Sequence, residues 1–331
     1  MAVYIDDTRI PNGSNITINK RLEGPREITH VIHDIDGTHS LIRDWPPVMS
    51  LSMWYGMNCG FSEDYDSAEN LEKMVAKVGE PLDEFDDITR FFNGYSAITQ
   101  LEYGIRRGIE EGTIPTDKLA LTDEDRAANS AVLDRLRTGE ERYYDIKERP
   151  EVIAFIDSVT PRLFRFYEDL LYKASRDKNT EDARTHPERW RVPGSLEFIA
   201  HLYNLGLENH FVTGAVVYEG GGMREEVEVC GYEIGPGKIM ESLEGSSWDE
   251  KLPKDEVMAR IFKERNLDPR NVLIVGDGRT EIKAGATMGA PTISRLPADD
   301  ERQRKVHSEL GVNYIVPDYT DAALMKMIYK A

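Results

Sequence analysis

Cysteine, basic residues and long apolar runs are all scarce in this sequence. Two cysteines, Cys59 and Cys230, occur among 331 residues and form no C-x-x-C pair, so neither a disulfide framework nor a cysteine-based zinc site is expected. Lysine and arginine number 41 against 60 aspartates and glutamates, which gives a formal net charge of −19. A surface this acidic repels nucleic acid and anionic membranes, so neither is an expected partner.

No apolar run is long enough to span a bilayer. Residues 1–7 lack the basic stretch and apolar core of a secretion signal, and we therefore expect a cytoplasmic protein. Hydrophobic residues still make up 40% of the chain, which is enough for a packed core. The length suits one large domain or two modest ones.

Local patterns divide the chain into three parts. Residues 1–24 hold two β-type segments separated by the turn residues 11–13 and predict an N-terminal β-hairpin. Residues 25–42 and 190–331 alternate short apolar strands with helices, which is typical of βαβ units and a parallel sheet. Residues 43–189 carry helical patterns without a strong strand. The sequence thus predicts an α/β domain with a helical block inserted after its first strand.

Acidic, hydroxyl and basic side chains occur where the predicted strands end or the predicted helices begin. These residues are Asp34 and Asp36, Thr213 and Gly214, Lys254, and Asp277 with Glu281. In an open parallel sheet, ligands bind beyond the carboxyl ends of the strands. The sequence therefore predicts that these residues meet in one site.

The identity and order of these residues resemble the haloacid dehalogenase (HAD) superfamily of phosphatases. Residues 32–38 are similar to the first motif of that family, Thr213 to the second and Lys254 to the third, while residues 275–278 with Glu281 are similar to the fourth. The resemblance implies a doubly wound, Rossmann-like parallel sheet core with an inserted, mainly α-helical cap domain.

The resemblance also implies a role for each residue. Asp34 would be the nucleophile that forms an aspartyl-phosphate, and Asp36 would be the general acid and base. Thr213, Gly214 and Lys254 would hold the phosphate. Mg2+ would be bound by Asp34, the backbone carbonyl of Asp36 and Asp277, since hard cations prefer oxygen ligands, and Glu281 would bind the ion directly or through a metal-bound water. The expected reaction is hydrolysis of a phosphate monoester on a small molecule.

Several alternatives remain open at this point. A phosphotransferase or sugar-phosphate mutase would keep the same residues, and a non-catalytic binding protein could keep the fold. Position 281 is Glu, where the family more often has Asp. Arg43, Arg106 and Arg107 are the candidates for recognising the rest of the substrate. His30 and His33 are expected to pack in the strand rather than to bind a metal, and a homodimer is left open.

Overall fold

The computed structural model describes residues 1–42, 45–92, 94–247 and 252–331. Its chain divides into two compact units. The described residues 1–42, 179–247 and 252–331 form the first, which we call the sheet unit. Residues 45–178, apart from the undescribed position 93, belong to the second, which we call the helical unit. The helical unit therefore ends at residue 178 rather than at the expected 189.

Strands occur only in the sheet unit, as far as the described residues go. They are β1 (Val3–Ile5), β2 (Thr17–Ile18), β3 (Arg26–Ile28), β4 (His30–His33), β5 (Glu208–Val216), β6 (Ser242–Ser246), β7 (Val272–Gly276), β8 (Thr292–Arg295), β9 (Tyr314–Val316) and β10 (Ile328–Lys330). The α-helices are α1 (Trp45–Asn58), α2 (Ala68–Val75), α3 (Asp83–Phe91), α4 (Ala97–Glu111), α5 (Asp123–Arg137), α6 (Pro150–Leu171), α7 (Asp177–Thr185), α8 (Ser195–Leu205), α9 (Gly222–Val229), α10 (Lys254–Glu264), α11 (Arg279–Met288), α12 (Glu301–Glu309) and α13 (Ala322–Met327).

The larger sheet has the strand order β2-β9-β8-β7-β4-β5-β6. All neighbours in it are parallel except β2, which runs antiparallel to β9. Strand β4 lies between β5 and β7, with His33 opposite Phe211 on one side and Val275 on the other. The chain leaves β4 toward β5 and β6 and then crosses back to β7, so the strand order reverses at β4. This topology confirms the predicted doubly wound α/β core, and such a reversal is where ligands bind in open sheets.

Helices cover both faces of this sheet because its apolar strands alternate their side chains between the faces. Val31 and Val275 lie in one buried cluster with Phe198 of α8. Ile32 and Ile274 lie in the other cluster, with side chains from α10. Burial on both faces fixes the strand register and hence the level at which each strand ends.

The predicted N-terminal hairpin is wrong. Strand β1 pairs antiparallel with β3 and β10 in a separate three-stranded sheet, whereas β2 adds to the edge of the larger sheet beside β9. Val3 and Ile5 are buried in the core of the sheet unit. The partner strands lie at the far end of the chain, so no local turn signal reveals this pairing.

The helical unit is built around close contact between α1 and α4. A Cβ on Gly104 would lie 2.4 Å from the carbonyl oxygen of Met53, so the two backbones approach at a point that admits only glycine. Thr122 and Asp125 form a capping box that starts α5. Among the described residues, no helix combines the length and apolar character that a membrane crossing needs.

Candidate active site

The loop that follows β4 carries Asp34 and Asp36. Asp34 continues the pairing with β7 through its backbone N–H, which donates to the carbonyl of Val275 at 2.9 Å. Gly37 has a φ of 74°, a left-handed conformation that glycine adopts at little cost. The chain then turns back, and the backbone N–H of Ser40 donates to the carbonyl of Ile35 at 3.0 Å. The loop therefore presents Asp34 at the carboxyl end of β4, with Asp36 half-buried beside it.

Lys254 is the first residue of α10, and its buried ammonium group contacts two carboxylates. Its Nζ lies 2.5 Å from Oδ1 of Asp34 and 3.1 Å from Oε2 of Glu281. Burial lowers the pKa of Lys254, but the carboxylates of Asp34 and Glu281 raise it, and the net shift is upward. Lys254 therefore remains a cation at neutral pH.

Asp277 and Glu281 complete the cluster from the end of β7 and the first turn of α11. Carboxylate oxygens of Asp34, Asp277 and Glu281 lie within 4.8 Å of one another. The hydroxyl of Thr38 donates to Oδ2 of Asp34 at 3.1 Å and lies 3.4 Å from Oδ1 of Asp277. The structure thus brings together four of the predicted residues, which come from three separate segments of the chain.

Two glycines make room for the longer side chain of Glu281. A Cβ on Gly276 would lie 2.2 Å from Oε1 of Glu281, and one on Gly278 would lie 2.7 Å from its Oε2. The backbone N–H of Gly278 donates to Oε1 of Glu281 at 2.6 Å. In the structure both glycines are needed because a glutamate folds back over this loop.

The donor set of this cluster fits a hard divalent cation. Its ligand atoms are carboxylate oxygens, which Mg2+ prefers to nitrogen or sulfur. One ammonium group faces three carboxyl groups here, and like charges at this separation repel. Asp34, Asp277 and Glu281 are therefore the residues that could hold such an ion.

Thr213 does not end its strand as predicted. Strand β5 continues to Val216, with a break in its pairing with β6 between Val212 and Val216. Thr213 is 5% exposed, and its hydroxyl accepts a hydrogen bond from the N–H of Ala215 at 3.1 Å. The pairing of His33 with Phe211 puts Thr213 one residue beyond the level of Asp34 on the adjacent strand. Thr213 and the half-buried Gly214 thus remain at the edge of the sheet that carries Asp34.

The predicted substrate-recognition arginines have other surroundings. Arg106 is 3% exposed and forms a bidentate ion pair with Glu148 inside the helical unit. This burial contradicts the expectation that Arg106 recognises a substrate. Arg107 contacts Glu84 at 3.1 Å and Glu111 at 2.9 Å, and it also pairs with Glu110. Its charge is therefore already matched by acidic neighbours, while Arg43 lies outside the described residues.

A buried chain of hydrogen bonds contacts the loop that follows β4, and the sequence did not predict it. His33 Nε2 lies 3.1 Å from Oδ1 of Asn209, and His33 Nδ1 lies 2.9 Å from Nε2 of His39. His39 Nδ1 is in turn 2.6 Å from Oγ of Ser195. Burial lowers the pKa of His33 to about 4, so its ring carries no charge at neutral pH. The chain of hydrogen bonds ties both ends of the loop 33–39 to the sheet unit.

Two further contacts hold the backbone of the same loop. Arg295 donates from Nη1 to the carbonyl of Gly37 at 3.0 Å, and the Tyr319 hydroxyl donates to the carbonyl of Thr38 at 3.0 Å. These donors come from β8 and from the segment after β9, far along the chain. They fix the loop without using the side chains of Asp34 or Asp36, which is the arrangement a preorganised site requires.

Comparisons with known proteins give structural likenesses only. No family model and no curated protein matches the sequence. A predicted phosphatase from Clostridium acetobutylicum is 16% identical with a TM-score of 0.41, over 87% of this chain and 94% of that one. A putative beta-phosphoglucomutase from Bacteroides vulgatus is 15% identical with a TM-score of 0.46, over 92% and 91%.

A third solved structure is described as a HAD family hydrolase from Deinococcus radiodurans with bound phosphate and sodium. It is 13% identical with a TM-score of 0.38, over 87% of this chain and 90% of that one. At such identities and TM-scores, the likenesses assign neither a family nor a reaction to this chain.

Proposed function

We propose that this chain is a HAD-type phosphatase, dependent on a divalent cation, that hydrolyses phosphate monoesters of small molecules. The observation that carries the proposal is the cluster of Asp34, Lys254, Asp277 and Glu281 at the carboxyl end of parallel strands. Nucleophile, cation and metal-type ligands are the parts that phosphoryl transfer needs.

The proposed reaction begins with a carboxylate oxygen of Asp34. This oxygen attacks phosphorus, so an Asp34–phosphorus bond forms while the bond between phosphorus and the ester oxygen breaks. Asp36 gives its proton to the departing alkoxide. Asp36 then accepts a proton from water as that water attacks phosphorus. The Asp34–phosphorus bond breaks, and inorganic phosphate and free Asp34 remain.

Positive charge must compensate the charge of the phosphoryl group in this acidic site. Lys254 supplies one charge, and its contacts with Asp34 and Glu281 place it beside the reacting oxygen. A divalent cation held by Asp34, Asp277 and Glu281, with Mg2+ as the first candidate, would neutralise the phosphoryl oxygens. Thr213 is proposed to donate its hydroxyl to one of those oxygens.

A screen of the purified protein with Mg2+ against phosphorylated metabolites tests this function. Release of inorganic phosphate that EDTA stops and Asp34→Asn abolishes would support the phosphatase. Asp117→Asn is the matched control, because Asp117 is an exposed residue of the helical unit. Isomerised product without phosphate release would favour a mutase instead, and no turnover on any substrate would favour a binding protein.

A further inference from the structure

A second cluster of metal-type ligands lies at the opposite end of the strands from Asp34. His30 is the first residue of β4, Glu208 is the first residue of β5, and His210 follows two residues later. One candidate ligand atom from each lies within 4.8 Å of the other two. Asp34 comes directly after the last residue of β4, so the two clusters lie at opposite ends of the strands.

Strand register explains why these three residues meet. His30 pairs with Glu208 across the parallel β4–β5 ladder, and His30 Nε2 lies 3.5 Å from Oε2 of Glu208. Side chains two residues apart on a strand share a face, so His210 lies on the same face as Glu208. The rings of His30 and His210 stack with centroids 5.8 Å apart.

His210 is the most informative member of the cluster. It is fully buried, and its Nδ1 lies 3.0 Å from Oγ of Ser242. Its Nε2 has no hydrogen-bond partner among the described residues. Burial lowers the pKa of His210 to about 3, so the ring is neutral. The tautomer with its proton on Nδ1 donates that proton to Ser242 and leaves Nε2 with an unused lone pair, which is costly to bury without a partner.

We propose that His30, Glu208 and His210 form a binding site for a divalent transition-metal ion of the zinc type. Two imidazoles and one carboxylate are a common zinc ligand set, whereas Mg2+ prefers oxygen ligands. Hydrogen bonds to the second ring nitrogen orient metal-binding histidines, and here Thr29 Oγ1 lies 2.8 Å from His30 Nδ1 while Ser242 serves His210. The ion would link β4 to β5.

One neighbouring cation opposes this ion and gives the proposal a sharp test. Arg265, at the end of α10, lies 3.4 Å from the same Oε2 of Glu208 that faces His30. Its positive charge competes with a metal for that carboxylate. Removing the charge with Arg265→Gln should therefore tighten metal binding. An unchanged metal affinity in this variant would mean that Arg265 does not oppose the ion.

The test is titration of the EDTA-treated and dialysed full chain with Zn2+ in the presence of excess Mg2+. We expect one Zn2+ per chain, affinity at least about tenfold weaker in His30→Gln and in Glu208→Gln, and tighter binding in Arg265→Gln. Zn2+ should also raise Tm, since a ligand that binds only the folded state stabilises it. His186→Gln, at an exposed histidine, should bind as the unchanged chain does.

Three results would overturn the proposal. The first is the absence of stoichiometric zinc binding by the unchanged chain. The second is zinc affinity in His30→Gln and in Glu208→Gln that equals the affinity of the unchanged chain. Both variants change side chains that are not fully buried. The third is loss of the zinc in Asp277→Asn, which would assign the ion to the carboxylate cluster at the other end of the sheet.

Discussion

Both units bury charged side chains, but they balance those charges differently. In the helical unit, Arg106 meets Glu148 through two hydrogen bonds of 2.7 and 3.0 Å. These hydrogen bonds join the cation to one carboxylate, and the side-chain oxygen Oδ1 of Asn129 lies 3.4 Å from the same guanidinium. In the sheet unit, the ammonium of Lys254 lies in a cluster that gathers three carboxylates.

This difference shows that burial of charge does not by itself mark a functional site. A matched pair neutralises its own charges within the fold, and removing one partner leaves an uncompensated charge. A cluster with an excess of one sign is costly until another ion joins it. Arg106 therefore has a structural explanation, whereas under the proposed function Asp34, Asp277 and Glu281 would hold a divalent cation.

After the loss of turnover in Asp34→Asn, the largest effect we expect concerns Asp36. Asp36→Asn should lower turnover of an alkyl phosphate by about 10²–10⁴-fold, because general acid–base catalysis contributes a factor of this size. The loss in the first chemical step should shrink for an aryl phosphate whose leaving group needs no proton. Steady-state and presteady-state rates for the two esters measure this. An equal loss for both in the first step would remove Asp36 from the role of acid.

The matched pair in the helical unit should matter for stability. Glu148→Gln leaves the buried Arg106 without its counter-charge and should cost about 3–5 kcal/mol of unfolding free energy. Glu111→Gln is the control, because it removes a half-exposed partner of Arg107 and should cost at most about 1 kcal/mol. Urea unfolding of both variants measures the two values. Equal losses would mean that the Arg106–Glu148 pair is not the special contact described above.

Loss of a carboxylate from the cluster of Asp34, Asp277 and Glu281 should not lower the free energy of unfolding. Asp277→Asn removes one of three mutually repelling carboxylates, so without Mg2+ the free energy of unfolding should be unchanged or rise. The increase in Tm that Mg2+ gives the unchanged chain should disappear in this variant. Thermal unfolding with and without Mg2+ measures both effects. Clear destabilisation without Mg2+ would show that Asp277 has a structural role like that of Glu148.

The smallest effect we predict is a pH dependence from His307, a buried residue of α12. Burial lowers its pKa to about 4, Arg279 adds to the lowering, and Asp300 opposes it. The unfolded chain therefore takes up a proton below about pH 6.5, which the folded chain resists until about pH 4. The contribution of neutral His307 to the free energy of unfolding is therefore full above about pH 6.5. It decreases as the pH is lowered from there to about 4, by up to about 1.4 kcal/mol per pH unit.

Urea unfolding between pH 6.5 and pH 5, in the unchanged chain and in His307→Asn, measures this slope. The variant should show a smaller loss per pH unit, whatever its absolute stability. An identical slope in both chains would exclude His307 as a contributor.

Much of the sheet unit could be predicted because its signals are local. Apolar runs identified β4 and β7, and parallel strands place their carboxyl ends at one edge, so the convergence of Asp34 with Asp277 followed from topology alone. Lys254 was placed correctly at the start of α10. The catalytic and metal-binding roles of these residues remain predictions.

The contacts that the sequence could not predict join residues that are distant along the chain. Strand β1 pairs with β10, at the other end of the molecule, and Arg106 finds Glu148 across 42 positions. The room that Gly276 and Gly278 provide is visible only once Glu281 folds back over them. Each of these contacts is decided by tertiary packing, which short-range patterns do not encode.

Trapping of the covalent intermediate tests the central proposal most directly. Asp36→Asn should be mixed with an aryl phosphate that it turns over and Mg2+, quenched in acid, digested and analysed by mass spectrometry. Because the first step needs no acid with this ester while the second still needs a base, phosphate should accumulate on the peptide that contains Asp34. The account predicts phosphorylation at Asp34 and none in the Asp34→Asn variant. Phosphate on another residue, or turnover without any phosphorylated peptide, would contradict it.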